Sequence, residues 1–227
     1  MLFEILIILA ILTIISTTYW RYFYFFRDPD RTPPNGNNIV APADGTIMYI
    51  RKIEDGKVPI AIKNGKEIEL KEIMKTNSDD NVKNGYIVGI FMTPWDVHVN
   101  RAPISGKVEQ MSYFSSKNVS MGRATLNKIL GIKPLYTGTR HIPLNERNTV
   151  RIKGDFPLYV VQIADSYINK IEDWVKEGDV LEKGQRIGII KMGSQVDTIF
   201  PDLENIEIKV REGEHVKAGE TILAIYG

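Results

Sequence analysis

Two stretches near the C-terminus carry the same pattern, and that duplication limits what the chain can fold into. Val175–Ile190 and Val210–Ile225 align without a gap, with Gly178 on Gly213 and Gly184 on Gly219. Each contains G-[DE]-x-[VL]-x-x-G-[QE]. A second pair of short units, Ala41–Ile47 and Ala102–Val108, shares A-P-x-x-G-x-[IV]. Glycines at matching places in both copies permit tight bends between short strands. Such repeats predict two equivalent halves whose strands pair in an intertwined β-sandwich or open barrel.

The rest of the chain agrees. Strand-like runs occur at Ile47–Ile53, Val58–Lys63, Tyr86–Met92, Lys107–Tyr113, Thr149–Lys153, Leu158–Ala164, Arg186–Lys191, Val196–Phe200, Ile206–Val210 and Thr221–Tyr226. They are short, rich in β-branched residues and separated by Gly, Pro, Asp and Asn. Helix is scarce: Gly122–Leu130, ended by Gly131, is the best soluble candidate and Glu67–Lys75 a weaker one. The repeated units resemble the halves of lipoyl and biotinyl barrel-sandwich domains. The fold class expected is therefore mainly β and barrel-sandwich-like with few helices, plus an N-terminal transmembrane or membrane-associated helix. In those carriers a lysine at a hairpin tip bears the cofactor; here Lys191-Met192 runs into Gly193-Ser194 and the flanking tripeptide does not match. A non-catalytic membrane-anchored adaptor of the same fold stands as the rival to an enzyme.

Composition narrows the chemistry. A net charge of +1 gives no global basic field for nucleic acid. The absence of cysteine excludes disulfides, thiolate metal sites and thiol nucleophiles. The three histidines, at 98, 141 and 215, have no metal-motif spacing, so no metal is expected.

Leu2–Tyr19 is almost wholly apolar and close to the shortest helix that spans a bilayer. The aromatic-basic cluster Trp20–Arg27 follows, of the kind found at a membrane interface. No basic residue precedes the apolar run and no Ala-x-Ala site follows it, unlike a cleaved signal peptide. Arg21, Arg27 and Arg31 all follow the span, which predicts a cytoplasmic body. The expected division is an anchor and interfacial segment (1–27), an extended linker (28–38) and a folded domain (39–227).

Gly193-Ser194 lies at a bend between two apolar runs. A serine hydroxyl there can approach the carbonyl before it, rearrange amide to ester and, after elimination, leave a pyruvoyl group; the same dipeptide also makes plain turns. A lone hydroxyl cannot activate itself, whereas a neutral imidazole takes up a proton near pH 7. His98, in Thr93–Pro103, is the candidate base, or else a strand histidine satisfied locally. Asp44 could orient that imidazole as the acid of a Ser-His-Asp relay does, or simply form an Asp-Gly turn.

Phe25–Pro29, Ala41–Gly45, Asp96–Pro103, Asn145–Asn148 and Gly193–Asp197 occur in this order, and together they resemble the short (type A) form of the phosphatidylserine decarboxylase family, which includes archaetidylserine decarboxylases. The resemblance implies a self-processing proenzyme cut between Gly193 and Ser194 into 1–193 and 194–227. The two fragments would remain as a heterodimer, the second beginning with a pyruvoyl group made from Ser194. It implies no pyridoxal phosphate: the ketone forms a Schiff base with the amine of a serine phospholipid, draws electrons as carbon dioxide leaves, and releases the ethanolamine lipid. Asp44 matches the family aspartate and His98 a family histidine. Larger bacterial members have D-x-H-x-x-H-x-P, whereas this chain reads D-V-H-V-N-R-A-P, so Arg101 replaces the histidine tied to self-cleavage. His98 is then expected to act as base in cleavage and as proton donor after decarboxylation, and Arg101 to meet the lipid phosphate. His141 is expected in a surface loop, and His215, at the repeat position of Val180, in packing or exposure. Ser115–Arg140 is richer in Ser, Asn and Lys than the family's short loop and gains no role from the resemblance. The implied partners are serine phospholipid and the cell membrane, with no nucleic acid.

Overall fold

In a computed structural model that describes residues 1–63, 66–76, 82–166, 171–191 and 193–227, the duplicated segments pair twice in the same way. Val180–Leu181 lies antiparallel to Gly106–Phe114, with Val180 opposite Lys107 and Leu181 opposite Gly106. His215–Val216 repeats this on Gly45–Ile53, with His215 opposite Thr46 and Val216 opposite Gly45. The flanking backbone bonds match as well: Gly178 and Gly213 donate to Val108 O and Ile47 O, and Gly184 and Gly219 to Ala102 O and Ala41 O, all at 2.8 Å. These four glycines have φ between +74° and +96°, the left-handed region in which a Cβ is penalised. The backbone turn thus explains why glycine recurs at both places in both copies.

Those pairs form the two edges of an eight-stranded antiparallel sheet that curls into a half-barrel. Its spatial order is Val180–Leu181, Gly106–Phe114, Arg147–Lys153, Pro157–Ala164, Ser194–Pro201, Gly85–Met92, Gly45–Ile53 and His215–Val216. Each repeat also supplies a strand to a smaller sheet. Arg186–Ile190 lies between Ile171–Asp173 and Val99–Arg101, and Ile222–Ile225 between Asn38–Val40 and Glu207–Ile208. Among the described residues the α-helices are α1 (Leu2–Tyr19), α2 (Leu70–Met74), α3 (Gly122–Leu130) and α4 (His141–Leu144).

One core fills the inside of the half-barrel with Ile47, Ile90, Val160, Val196, Phe200 and Leu223. A second, on the other face of the sheet, packs Phe91, Val161, Ile163 and Ile199 against Ile73, Met74, Ala124 and Ile142 of the three short helices. The central strand Ser194–Pro201 is therefore buried on both faces from Ser194 to Phe200. Its buried polar residues can find partners only inside the protein: Gln195 and Asp197 do, whereas the Thr198 hydroxyl has none among the described residues.

The predicted mainly β, barrel-sandwich-like class is the one observed. All ten predicted runs contain strand, and α3 has the predicted bounds. The differences are local. Ile206–Val210 pairs only at Glu207–Ile208, and Glu67–Lys75 divides between the strand Lys66–Glu69 and α2. Asn38–Val40, Val99–Arg101, Ile171–Asp173, Val180–Leu181 and His215–Val216 are only two or three residues long, too short for alternation to reveal.

Helix α1 is apolar all round and buries none of its residues in the protein. Extended through a π-helical turn to Tyr24, it is 23 residues long and its most apolar 18-residue stretch has mean hydropathy 2.2, long and apolar enough to cross a membrane. The hydroxyls of Thr13 and Thr17 donate to Leu9 O and Thr13 O at 2.8 Å, so the helix satisfies them itself. The linker that follows is strapped to the body. Arg27 donates to Trp95 O at 2.6 Å, Asp28 accepts from Arg101 at 2.8 Å and also from Arg186, and Arg31 joins Asp44 at 2.9 Å and Glu220 at 2.8 Å.

Candidate active site

Gly193 and Ser194 stand where the chain enters the central strand. Met192, within the motif, lies outside the described residues. Gly193 has φ +60°, and a Cβ built on it would lie 2.7 Å from Asp165 Oδ2, so both backbone and space demand glycine. The Gly193 carbonyl accepts the Asp165 N–H at 3.1 Å. Ser194 then pairs with Met92 on one side and Ala164 on the other. Its fully buried hydroxyl donates to Met92 Sδ at 3.1 Å, a weak acceptor that leaves the oxygen lone pairs free.

Successive side chains of a strand face opposite sides, so Ser194 and Gln195 begin two separate polar clusters. On the Ser194 side, Asn100 Nδ2 lies 3.9 Å from Met92 Sδ. Asn100 Oδ1 accepts from Gln162 at 2.8 Å, Gln162 Oε1 from Asn148 at 3.3 Å, and Asn148 also donates to Asp173 at 2.8 Å. On the other side, Gln195 Nε2 donates to Tyr49 OH at 2.7 Å and Asp197 Oδ1 at 2.6 Å, and Tyr49 donates to Asp197 Oδ2 at 2.9 Å. Gln195 Oε1 meets His141 Nε2 at 2.7 Å. An amide oxygen only accepts, so the proton sits on Nε2, while the buried Nδ1 has no hydrogen-bond partner among the described residues.

Burial pushes His141 down to about 4, more strongly than its bond to Gln195 raises it. Burial also pushes the Asp197 carboxyl up to about 7, against the hydrogen bonds from Gln195 and Tyr49 and the Arg147 charge. Arg147 is itself fully buried, donating to Ile73 O at 2.6 Å and Asn145 O at 2.7 and 2.9 Å. Asp197 binds its proton more tightly folded than unfolded, so its contribution to stability is present at low pH and is lost as pH rises through about 7. Asp197→Asn does not titrate. Its stability relative to the parent is expected to climb between pH 4 and 7, by up to about 1.4 kcal/mol per pH unit, and then level off. Urea unfolding across that pH range checks this, and a flat difference would refute it.

A cavity of about 300 Å³ opens beside Gly193, lined by Phe91, Met92, Pro94, Ser120, Gly122, Thr125, Asp165 and Gly193. Asp165 is the charged group in its wall. Its Oδ1 accepts from Met121 N at 3.1 Å and from both the amide and the hydroxyl of Ser166, which aims Oδ2 at Gly193.

His98 is fully buried under the ring of Phe25, with centroids 4.2 Å apart. Its Nδ1 meets the Asp96 carbonyl at 2.9 Å, so Nδ1 holds the proton and Nε2 presents a lone pair with no hydrogen-bond partner among the described residues. Burial brings it down to about 4, keeping the ring neutral. The His98 carbonyl accepts from Ile190 N at 3.3 Å, on the strand that leads to Gly193. No hydrogen bond joins His98 to Ser194 or to Asp44 among the described residues.

Asp44 faces elsewhere: Oδ2 accepts from Arg31 at 2.9 Å and Oδ1 from Ala218 N at 2.7 Å, tying the linker to the second repeat. The imidazole is oriented by the Asp96 main chain in its place. Asp96 uses its own side chain to hold Thr93 at 2.7 Å and the half-exposed His215 at 2.8 Å. Arg101, expected at the lipid phosphate, closes instead on Asp28 Oδ1 at 2.8 Å and on Pro29 O and Gly184 O at 3.0 Å. Buried with three acceptors, its guanidinium has a structural use, and the structure does not bring it to Ser194. His141 corrects the sequence reading in the other direction. Predicted in a surface loop, it is fully buried beside Gln195, because the four-residue α4 turns it inward. Asp165 was missed altogether, since only the register of Pro157–Ala164 against Ser194–Pro201 brings it to Gly193.

The family model described as phosphatidylserine decarboxylase matches residues 19–224. A Methanocaldococcus jannaschii protein named as an archaetidylserine decarboxylase proenzyme is 42% identical over 89% of this chain and 88% of its own. A Methanothermobacter thermautotrophicus protein of the same name is 37% identical over 88% of this chain and 78% of its own. A Chlorobium limicola phosphatidylserine decarboxylase proenzyme is 30% identical over 88% and 77%.

Proposed function

This chain belongs to the phosphatidylserine decarboxylase family and is a carboxy-lyase, and from that premise we propose that it cuts itself before Ser194 and uses the new chain end to decarboxylate a serine phospholipid. The observation that carries the proposal is the Gly193 carbonyl, held by the Asp165 N–H beside a buried serine with free lone pairs.

The chemistry balances on the chain's own atoms. Ser194 Oγ adds to the Gly193 carbonyl carbon through a five-membered ring, and the C–N bond breaks to give an ester and a free amine. The Asp165 N–H is the donor for the oxygen on which negative charge develops. Loss of the Ser194 α-proton expels Gly193 as a carboxylate, and water then replaces the nitrogen, releasing one ammonia and leaving a ketone. The residues fit a pyruvoyl group at 194, because Gly193 can take its strained turn and two neighbouring strands hold Ser194 in place. When present, that group supplies the electron sink for loss of carbon dioxide.

The side chains have distinct tasks in this reading. His98, neutral with a bare Nε2, accepts the serine proton and later returns one to the product carbon. Asp165 Oδ2 faces the cavity as the anion for the serine ammonium. Asp44 acts at a distance, through Arg31 and Ala218. The fragments 1–193 and 194–227 stay together, since Ser194–Pro201 pairs along its length with two strands of the first fragment. Helix α1 holds the body at the bilayer, and the basic residues Arg21, Arg27 and Arg31 that follow it support a cytoplasmic body.

Intact mass of the purified chain tests this. Two fragments are expected, the smaller lighter by one ammonia than a chain beginning with serine. A single uncut polypeptide would leave the adaptor reading standing.

A further inference from the structure

We propose that α3 is a second membrane contact: with the Trp95 loop it forms the two lips of the active-site cavity, and both lips seat on the lipid bilayer. The proposal rests on the reading above that the substrate is a lipid.

Helix α3 contributes Gly122 and Thr125 to the cavity wall. Leu126 and Ile129 follow these by four residues and so continue the same helical stripe out of the cavity. Leu126, Ile129, Leu130 and Ile132 are 44, 75, 61 and 36% exposed. Such a row of large apolar side chains in water marks a contact surface. The helix is held firmly beneath them: fully buried Asn127 donates to Leu135 O at 2.9 Å and Thr137 O at 2.8 Å, and Ala124 packs into the core.

The opposite lip leads to α1. Pro94 lines the cavity and also a groove shared with Ser16, Thr17, Trp20 and Trp95. Trp95 packs 5.7 Å from Trp20, at the end of the apolar helix, and is still 65% exposed. The apolar surface therefore continues from α1 across Trp95 to the cavity mouth and on to α3.

Charge identifies the occupant. Residues 115–140 contain Lys117, Arg123, Lys128, Lys133 and Arg140 and no Asp or Glu, in a chain whose 29 basic and 28 acidic residues otherwise nearly cancel. Exposed apolar residues flanked by cations alone suit an anionic lipid surface. This assigns a role to the Ser115–Arg140 segment: it sets the cavity mouth at headgroup depth.

The lack of cysteine allows a direct test on the full chain. Ile129→Cys and Glu204→Cys would each carry a fluorophore, in vesicles of phosphatidylcholine, phosphatidylglycerol and phosphatidylserine with an acyl-chain nitroxide quencher. Glu204 lies past the far end of Ser194–Pro201, roughly 23 Å along that strand from Ser194. Quenching at 129 and not at 204 is expected. No quenching at 129, whether it faces water or a second copy of the chain, overturns the proposal, as does equal quenching at both.

Ile129→Glu with Leu130→Glu is expected to raise KM for vesicle-borne phosphatidylserine about tenfold, and to leave turnover of a water-soluble short-chain analogue unchanged. An unchanged vesicle KM also overturns it. Quenching is read without turnover, so a parent chain that decarboxylates neither substrate defeats the lyase reading separately.

Discussion

Ser194→Ala is expected to give a folded, uncut chain of 227 residues with no decarboxylase activity. In the proposed route the hydroxyl is at once the nucleophile of the cleavage and, once esterified, the leaving group whose elimination opens the way to the ketone, so deleting one oxygen removes both. The loss should be at least about a millionfold, the low end of enzymatic acceleration. Folding should hardly change, because the bond given up is to a methionine sulfur, a weak acceptor, and a typical hydrogen bond contributes only about 1 kcal/mol. A denaturing gel and carbon dioxide release from a labelled serine lipid read both effects. A cut or active Ser194→Ala chain would remove the basis of the proposed function.

His98→Gln should slow cleavage, and turnover of any chain that does mature, by about 10²- to 10⁴-fold, the range of general acid–base catalysis. Glutamine can still donate to the Asp96 carbonyl and pack under Phe25, but it offers no basic nitrogen. A purely structural His98 would be rescued by that replacement. Because His98 stays neutral above about pH 4, the parent should show no acid limb from this residue between pH 5 and 8. Asp44→Asn should do less to cleavage than His98→Gln, since its bonds run to Arg31 and Ala218 and not to the imidazole. An Asp44→Asn chain more impaired than His98→Gln would restore a direct relay between the two.

The duplicated glycines gave the architecture away, because a left-handed turn is a local demand that one residue type meets best. The bend at Gly193 was legible for the same reason. Asp44 and Arg101 were found as residues but not as contacts: each pairs with the linker, which composition shows only as an extended segment. His141 gave the opposite lesson. Nothing around Thr139–Pro143 marks it as buried, and its partner Gln195 is far away in sequence.

The sequence by itself determined the mainly β class, the two equivalent halves and the apolar N-terminal helix. Each of these depends on neighbouring residues, through backbone preference and hydrophobic periodicity. Only the tertiary structure decided that Asp165 meets Gly193, that Phe25 covers the His98 ring, and that Gly122 and Thr125 of α3 line the cavity. Those contacts join residues distant along the chain. They are set by sheet register, where a shift of one residue would reverse every side chain's face.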